Sequence, residues 1–341
     1  MNWWQPHIFA EKQRYLRGRA QVMKALRLFF DGNNFTEVDT PILQICPVMD
    51  THIHAFSTEL KGLDLSKKKD MYLQTSPEFD MKKLLVAGMD NIYQICPVFR
   101  NAEGSDLHSP EFTLLEWYRA GADYNALMDD SVDILRHVAK TMMIKNYTYQ
   151  GKTCDPFLDW QKISVCGAFS KYADIDLSLC LGNKSKFSDA AKAIDVRVTK
   201  VDSWDDIFHA IMAEKIEPYL GIDTPTILYD YPISMAALSR KSSNDPRFAE
   251  RFELYVCGVE LANAYSELTD VTEQRSRYEN DMSLKQSLYG ERYPADDDFF
   301  RALEYGMPDS AGIALGVDRL VMLTVGVSNI EDVLWAPVQV D

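Results

Sequence analysis

Residues 99–118, FRNAEGSDLHSPEFTLLEWY, place an arginine and carboxylates within one predicted hairpin. Arg100 stands at the end of the first strand, and Glu116 and Tyr118 belong to the return strand, where EFTLLEWY alternates as strands do. An arginine and a carboxylate pointing from neighbouring strands into one cleft suit a zwitterionic or phosphate-bearing substrate. The ordinary alternative is a hairpin with a surface ion pair, which contributes little stability.

A second segment, GIALGVDRLVML at residues 312–323, predicts a strand, then Gly316, then a helix. A glycine before a helix start, with Arg319 in the first turn, lets the backbone and a guanidinium approach an anion. FTEVDTP at residues 35–41 predicts only an edge strand ended by proline when taken alone. The three segments together, in this order and spacing, are strong evidence of a shared function.

Two other patterns could indicate a metal site. His52 and His54 place two imidazoles on one strand face, but no third ligand is evident nearby, so we assign no zinc. The six cysteines form no C-x-x-C pair. They are typical of buried apolar thiols in a reduced, cytoplasmic protein.

The composition excludes several classes of protein. With 341 residues, of which 46% are apolar and 26% charged, the chain has an ordinary globular composition. No run approaches about 20 apolar residues and no signal peptide is evident, so we expect a cytoplasmic protein without a membrane span. The 36 Lys and Arg against 51 Asp and Glu give a net charge of −15. This charge disfavours nucleic-acid phosphates and favours a small-molecule substrate or a basic protein partner.

Hydrophobic periodicity predicts the elements that must position these segments. Helices are predicted at residues 17–31, 82–87, 123–143, from Ser203, from Asp270 to about Gly290, and at 317–324. Strands are predicted at residues 35–38, 71–74, 91–95, 226–231, as a pair within 252–268, and at 312–315. Residues 150–225 are the least informative. No linker rich in Gly, Pro or Ser divides the chain, so we expect one catalytic domain over residues 1–341.

The three segments resemble the signature motifs of class II aminoacyl-tRNA synthetases, in the lysyl subclass. HSPEFTLLEWY resembles their second motif, and GVELANAYSELTD resembles their amino-acid-binding strand. Motif 1 would cover about residues 20–43, motif 2 about 95–120 and motif 3 about 306–325. The resemblance implies an α+β fold in which an antiparallel sheet is flanked by helices.

Within this class the chain is most similar to the EpmA family, also called PoxA or GenX. TSPEFDMKKLLVAG at residues 75–88 and GMPDSAGIALGVDRLVML at 306–323 carry this resemblance. A full lysyl-tRNA synthetase would have an anticodon-binding domain before motif 1, and none is expected here. Members of the family look like synthetase catalytic cores that attach (R)-β-lysine to one lysine of translation elongation factor P. Ala314 stands where lysyl-tRNA synthetases typically have glycine, and its methyl group would bias the pocket between α- and β-amino isomers.

The resemblance also implies roles for individual residues. Arg100 would bridge the substrate carboxylate and the α-phosphate of ATP, and Arg319 would hold the γ-phosphate; these are the two catalytic residues. The amino-acid pocket would be formed by Ser76, Glu78, Glu116, Tyr118, Asn263, Glu267 and Ala314. ATP would contact Arg100, Asn101, Ala102, Glu103, His108, Ser109, Phe112, Glu260, Leu261, Gly316 and Arg319.

Glu253 and Glu260 are implied as ligands of Mg²⁺, a cation that prefers oxygen. Their odd spacing would place them on opposite faces of an unbroken strand. Either Gly258 supplies a bend, or the two carboxylates approach the site from different strands.

Two positions depart from the family pattern. Ala102 stands at the usual glutamate that touches the adenine amino group, and Glu103 follows it as a substitute if the loop shifts. Ser109 replaces an asparagine after His108 and shortens another contact on the ATP side.

The resemblance implies a ligase that uses ATP and Mg²⁺, forms an aminoacyl-adenylate of (R)-β-lysine, or less well of α-lysine, and acylates elongation factor P. It also implies a homodimer formed through motif 1, with no tRNA as partner. Two alternatives stay open at this point. One is a minimal synthetase that acylates RNA; the other is an inactive paralogue acting as a regulatory binding module.

Overall fold

A computed structural model describes residues 3–47, 49–236 and 238–338 of the chain. The strands of this part are β1 (Thr36–Glu37), β2 (Leu43–Gln44), β3 (Ser57–Lys61), β4 (Lys67–Leu73), β5 (Asn91–Phe99), β6 (Glu111–Ala120), β7 (Tyr147–Tyr149), β8 (Lys152–Cys154), β9 (Gln161–Ser164), β10 (Thr226–Pro232), β11 (Phe248–Val256), β12 (Val259–Ser266) and β13 (Ser310–Gly316). The helices are α1 (Pro6–Gly32), α2 (Glu78–Val86), α3 (Tyr124–Thr141), α4 (Val165–Ala173), α5 (Lys184–Ala193), α6 (Trp204–Ile211), α7 (Val271–Tyr289), α8 (Asp297–Gly306) and α9 (Val317–Val325). Short helical turns lie at Leu177–Leu179, Met212–Ile216, Glu217–Tyr219, Ile233–Met235 and Ile330–Val333.

The largest sheet has the strand order β1-β5-β6-β13-β12-β11-β10-β9. Its central strands, from β5 to β10 in that order, pair antiparallel, as predicted. The two edge pairs, β1 with β5 and β9 with β10, are parallel instead. Parallel neighbours need a long crossover connection. Both edge pairs have one, because α2 lies between β1 and β5 and helices α4 to α6 lie between β9 and β10.

One face of the sheet packs against the apolar core and the other lines a cleft, as the side chains of β6 illustrate. Successive side chains of a strand point to opposite faces. Leu115 and Trp117 are fully buried in the apolar core that also contains residues of α1, α3 and α9. Leu114 and Glu116 therefore point to the other face, where the sheet is left open as a cleft.

The predicted helix boundaries are mostly correct, with informative exceptions. Helix α1 ends at Gly32 as predicted but begins at Pro6 rather than at residue 17. The buried face of the helix starts only at Leu16, so the first turns have no apolar periodicity from which to predict them. Asp123, the first residue of the predicted helix 123–143, caps α3, since its side chain accepts a hydrogen bond from the Asn125 N–H.

Helix α2 begins at Glu78, four residues before the predicted start at Lys82. Glu78 and Lys82 are therefore one helical turn apart and on the same face. This shift matters for the site described below.

Residues 150–225, which the sequence leaves uninformative, contain helices α4 to α6 and their own apolar cluster packed against β10. The predicted helix start at Ser203 is confirmed, and Ser203 forms a reciprocal capping box with Asp206. Ile216 is buried in the wider turn Met212–Ile216 beyond the end of α6. None of the helices found in the described ranges has the length and apolar character needed to cross a bilayer.

Candidate active site

A cleft of about 590 Å³ lies over strands β6, β12 and β13. Most of the residues implied by the resemblance line it: Ser76, Glu78, Arg100, Glu103, His108, Ser109, Phe112, Glu116, Tyr118, Glu260, Leu261, Asn263, Ala314, Gly316 and Arg319. Four do not line it, namely Asn101, Ala102, Glu253 and Glu267. The fold thus brings residues from motifs 2 and 3, from α2 and from the hairpin β11–β12 into one space.

Arg100 is held ready for an anion at the start of the loop between β5 and β6. Its N–H donates to the Pro110 carbonyl over 2.9 Å and closes the loop, and its guanidinium lies 5.2 Å from the Phe112 ring centre. Its Nε is buried and has no hydrogen-bond partner among the described residues. A buried guanidinium with an unused donor is costly unless a ligand supplies the acceptor. This arrangement suits a phosphate or carboxylate beside an aromatic base.

The next residues of the loop turn away from the cleft. The Asn101 N–H donates to the His54 carbonyl over 2.7 Å, its side-chain oxygen accepts from the Ala102 N–H, and Ala102 takes a φ of 60°. Asn101 and Ala102 are exposed, whereas Glu103 lines the cleft. ATP contacts for Asn101 and Ala102 stay predictions, and Glu103 is the acid of this loop that is placed to substitute.

Arg319 joins helix α9 to two other parts of the cleft. Its Nη1 donates to the Glu260 carbonyl over 2.8 Å, and its Nη2 lies 2.7 Å from His108 Nε2. Burial and the neighbouring Arg319 lower the pKa of His108 below its ordinary value of 6.5, so the imidazole is neutral near pH 7. Arg100 and Arg319 therefore both line this part of the cleft. Among the described residues, Arg319 has one long contact of 4.0 Å with the Glu260 carboxylate, and no carboxylate pairs with Arg100.

In motif 3 the position that requires glycine is Gly312, and not Gly316 before the helix as the sequence suggested. Gly316 has an ordinary φ of −72°, and a Cβ there would meet only Arg319 at van der Waals distance. A Cβ on Gly312 would lie within 3.0 Å of Tyr118 and Glu267. Gly312 is thus needed so that these two side chains can approach strand β13, which sequence reasoning missed.

The other half of the cleft is lined by carboxylates. The Ser76 hydroxyl donates to Glu116 Oε1 over 2.5 Å and the Tyr118 hydroxyl donates to Glu116 Oε2 over 3.0 Å. Burial and the nearby Glu78 raise the pKa of Glu116 to about 7. Ala314 lies in register between Glu116 on β6 and Asn263 on β12. A buried acid without a cation of its own is a site for an ammonium group.

Lys82 is a functional candidate that sequence reasoning missed. Its Nζ lies 2.5 Å from Glu78 Oε1 and 2.5 Å from Glu267 Oε2, and only 2% of its side chain is exposed. Glu78 also accepts from the Tyr265 hydroxyl over 2.6 Å. The four-residue spacing of Glu78 and Lys82 was a usable signal, but the pairing with Glu267 depends on the fold.

Glu253 lies on β11 and Glu260 on β12, and Gly258 forms part of the turn between these strands with a φ of 77°. The strands differ as the second expectation had it, but only Glu260 lines the cleft. Glu260 lines the cleft, where desolvation and the charge of Glu253 raise the pKa of its carboxyl group. Glu253 instead accepts hydrogen bonds from three donors, the Tyr231 hydroxyl, the Tyr255 hydroxyl and Arg251. Glu260 is therefore better placed than Glu253 to serve as an oxygen ligand of a metal ion.

Arg251 and residues from the helical insertion also reach the site without a sequence signal. Arg251 Nε donates to Asn263 Oδ1 over 3.1 Å, and both residues line the cleft. Asp205 and His209 of α6 and Asp281 of α7 line the outer end. Their placement depends on long-range packing, so local patterns could not have revealed it.

The histidine pair considered as a metal site serves loop packing. His52 Nδ1 lies 2.8 Å from the Tyr289 hydroxyl, and His54 Nδ1 lies 2.8 Å from Glu291 Oε2. Across the described ranges of the chain, no group of at least three His, Cys, Asp or Glu side chains is arranged to hold a metal ion.

Comparison with known proteins agrees with this geometry. Residues 8–339 match the family described as tRNA synthetases class II (D, K and N). Among curated relatives, the elongation factor P--(R)-beta-lysine ligase of Vibrio atlanticus is 38% identical, covering 98% of both chains. The proteins of that name from Proteus mirabilis and Salmonella arizonae are 38% and 37% identical, covering 98% and 97% of this chain and 97% and 96% of their own. The class II fold expected from the motifs is therefore confirmed. The chain belongs to the class II tRNA synthetases (D, K and N) and, within that family, groups with the elongation factor P--(R)-beta-lysine ligases.

Proposed function

We propose that this protein activates (R)-β-lysine with ATP and transfers the lysyl group to a lysine side chain of translation elongation factor P. The observation that supports this best is the division of the cleft. Arg100 and Arg319 face one half, and Glu78 and Glu116 face the other. A diamino acid bound beside a nucleoside triphosphate needs both halves at once. The names of relatives at 37–38% identity agree with this assignment.

The first step joins the amino acid to AMP. The carboxylate oxygen of β-lysine attacks the α-phosphorus of ATP, a new P–O bond forms, and the bond to pyrophosphate breaks. Arg100, with its free Nε, is placed to hold both the carboxylate and the α-phosphate, and Arg319 to hold the far phosphates. This reaction depends on alignment and charge neutralisation more than on a protein base.

The second step transfers the acyl group. The neutral amine of the acceptor lysine attacks the acyl carbon, the amide C–N bond forms, AMP leaves with the anhydride oxygen, and the amine releases a proton. The net charge of −15 suits an acceptor that is basic around its lysine.

The proposal includes a bound Mg²⁺ because Glu260 offers a carboxylate to the cleft. Its carboxylate lines the cleft near Arg319, and Mg²⁺ is commonly held by one or two carboxylates together with substrate phosphates. When bound there, Mg²⁺ would neutralise phosphate charge. Glu253 does not line the cleft and is bound to Arg251, so it would have to move to contribute a ligand.

The proposal also covers the domain organisation and the oligomeric state. We expect residues 1–341 to act as one catalytic domain, and two copies to pair through motif 1. Light scattering over a range of concentrations tests the dimer, and a monomer mass throughout would contradict it.

The decisive experiment is the intact mass of elongation factor P after incubation with this protein and Mg·ATP. Parallel reactions contain (R)-β-lysine, α-lysine or neither. A gain of one lysyl unit, faster with the β isomer, is expected. No gain, together with pyrophosphate exchange, would favour an RNA acceptor. No gain and no exchange would favour the inactive regulatory paralogue.

A further inference from the structure

In the amino-acid half of the cleft, the Lys82 ammonium lies among three carboxylates. Glu78 and Glu116 line the cleft, and Glu267 is fully buried behind them. Lys82 Nζ lies 2.5 Å from both Glu78 Oε1 and Glu267 Oε2. Its ammonium also lies 5.4 Å from the Tyr265 ring centre. Lys82 does not line the cleft itself, so it can reach a substrate only through these carboxylates.

The environment keeps Lys82 charged. Burial by itself would lower the pKa of this ammonium, but Glu267 and Glu78 raise it above its ordinary value. Desolvation raises the pKa of Glu267, and Lys82 limits that rise. Tyr118, Tyr265 and the Cys96 thiol also face these carboxylates; burial raises the pKa of both tyrosines well above 10 and that of Cys96 to about 12, so all three stay neutral.

We infer that Lys82 is a specificity-determining positioning residue, an internal counter-ion that leaves this pocket two unbalanced carboxylates for the two ammonium groups of a diamino acid. Three carboxylates and one ammonium carry a net charge of −2 when ionised, which equals the charge that a diamino acid can neutralise. This inference rests on the proposed function, because it requires a diamino acid as substrate.

The alternative without Lys82 is physically unfavourable. Three buried carboxylates facing two ammonium groups leave one charge without a partner, and an unpaired buried charge is costly. Without Lys82 these carboxyl groups would keep their protons to a higher pH than in the wild-type pocket, because the nearby ammonium lowers their pKa. Substrate binding would then require a more alkaline pH.

The test is amino-acid-dependent ATP–pyrophosphate exchange, measured as kcat/KM for β-lysine from about pH 6 to pH 9, a range that covers these carboxyl groups. In Lys82→Met the acid limb of the profile should move up by about one pH unit or more, because the carboxylates lose a cation that lowers their pKa. Lys82→Arg keeps the charge and should keep the wild-type limb. Lys82→Met/Glu267→Gln removes both charges of the buried pair and should return the limb toward the wild-type position.

Lys83→Met is the matched control. Lys83 follows on the same helix but pairs with Asp80 and Asp296 over 3.0 and 2.8 Å, outside the cleft. Its loss should leave the acid limb in place. The KM for ATP should stay near the wild-type value in every variant, which reports that the nucleotide half is intact.

The inference is overturned if the acid limb of Lys82→Met does not move, or if the double variant is no better than Lys82→Met. If Lys82→Met does not fold, the double variant decides, and failure of a folded double variant to activate β-lysine overturns the inference. Failure of the wild-type protein to show β-lysine-dependent exchange would instead contradict the proposed function.

Discussion

Nη2 of Arg319 lies 2.7 Å from Nε2 of His108, which ties helix α9 to the loop between β5 and β6. A guanidinium can only donate, so Nε2 is the unprotonated nitrogen, and Nδ1–H donates to Ser105 Oγ over 2.8 Å. The contact therefore exists only while the imidazole is neutral. Burial and Arg319 keep the pKa of His108 below 6.5, which favours that state near pH 7.

Acidification should weaken ATP binding through His108. As pH falls below 6.5 the imidazole gains a proton, loses its acceptor and repels Arg319, so the KM for ATP should rise. The measurement is KM for ATP in pyrophosphate exchange at saturating β-lysine. His108→Gln keeps an acceptor that does not titrate and should show a flatter pH dependence. An identical pH dependence in both proteins would rule out His108 as the titrating group.

Arg100→Lys should reduce kcat/KM for pyrophosphate exchange by about 100-fold, comparable to the loss of one transition-state donor. A lysine ammonium cannot reproduce the planar fork of donors that Arg100 presents beside Phe112. The matched control is Arg301→Lys, because Arg301 is exposed and pairs with Asp298 away from the cleft. A loss smaller than about threefold would argue against a role for Arg100 at the α-phosphate.

Ala314→Gly should shift the preference from β-lysine toward α-lysine by about tenfold, the scale at which one methyl group discriminates. The methyl group lies between Glu116 and Asn263, where the amino group of the substrate would sit. The readout is the ratio of kcat/KM for the two isomers. Ala311→Gly, buried in the core on the opposite face of β13, controls for loosening of the strand. An unchanged ratio would remove Ala314 from the specificity pocket.

Glu260 and Glu253 should respond differently to loss of charge. Glu260→Gln should raise the Mg²⁺ concentration for half-maximal exchange by about tenfold, because it removes a cleft-lining carboxylate. Glu253→Gln should mainly lower the free energy of unfolding, by about 1–3 kcal/mol, because Arg251 loses its buried carboxylate partner. Titrations with Mg²⁺ and chemical unfolding distinguish the two. Equal Mg²⁺ shifts would support the two-ligand site that the family resemblance implies.

Local patterns predicted much of the scaffold. The cap at Asp123, the end of α1 at Gly32 and the strand–Gly316–helix unit depend on nearby residues, so they follow from propensity and spacing. The start of α1 was wrong because its first turns have no buried face.

From the sequence by itself, the resemblance to known motifs pointed to residues that line the cleft, among them Arg100, Glu116 and Arg319. Only the tertiary structure decided how their charges are balanced. The pairing of Lys82 with Glu267 joins positions far apart in the chain, and the tyrosines around Glu253 come from two strands. Electrostatic balance depends on distance and burial in three dimensions, and neither can be obtained from spacing along the chain.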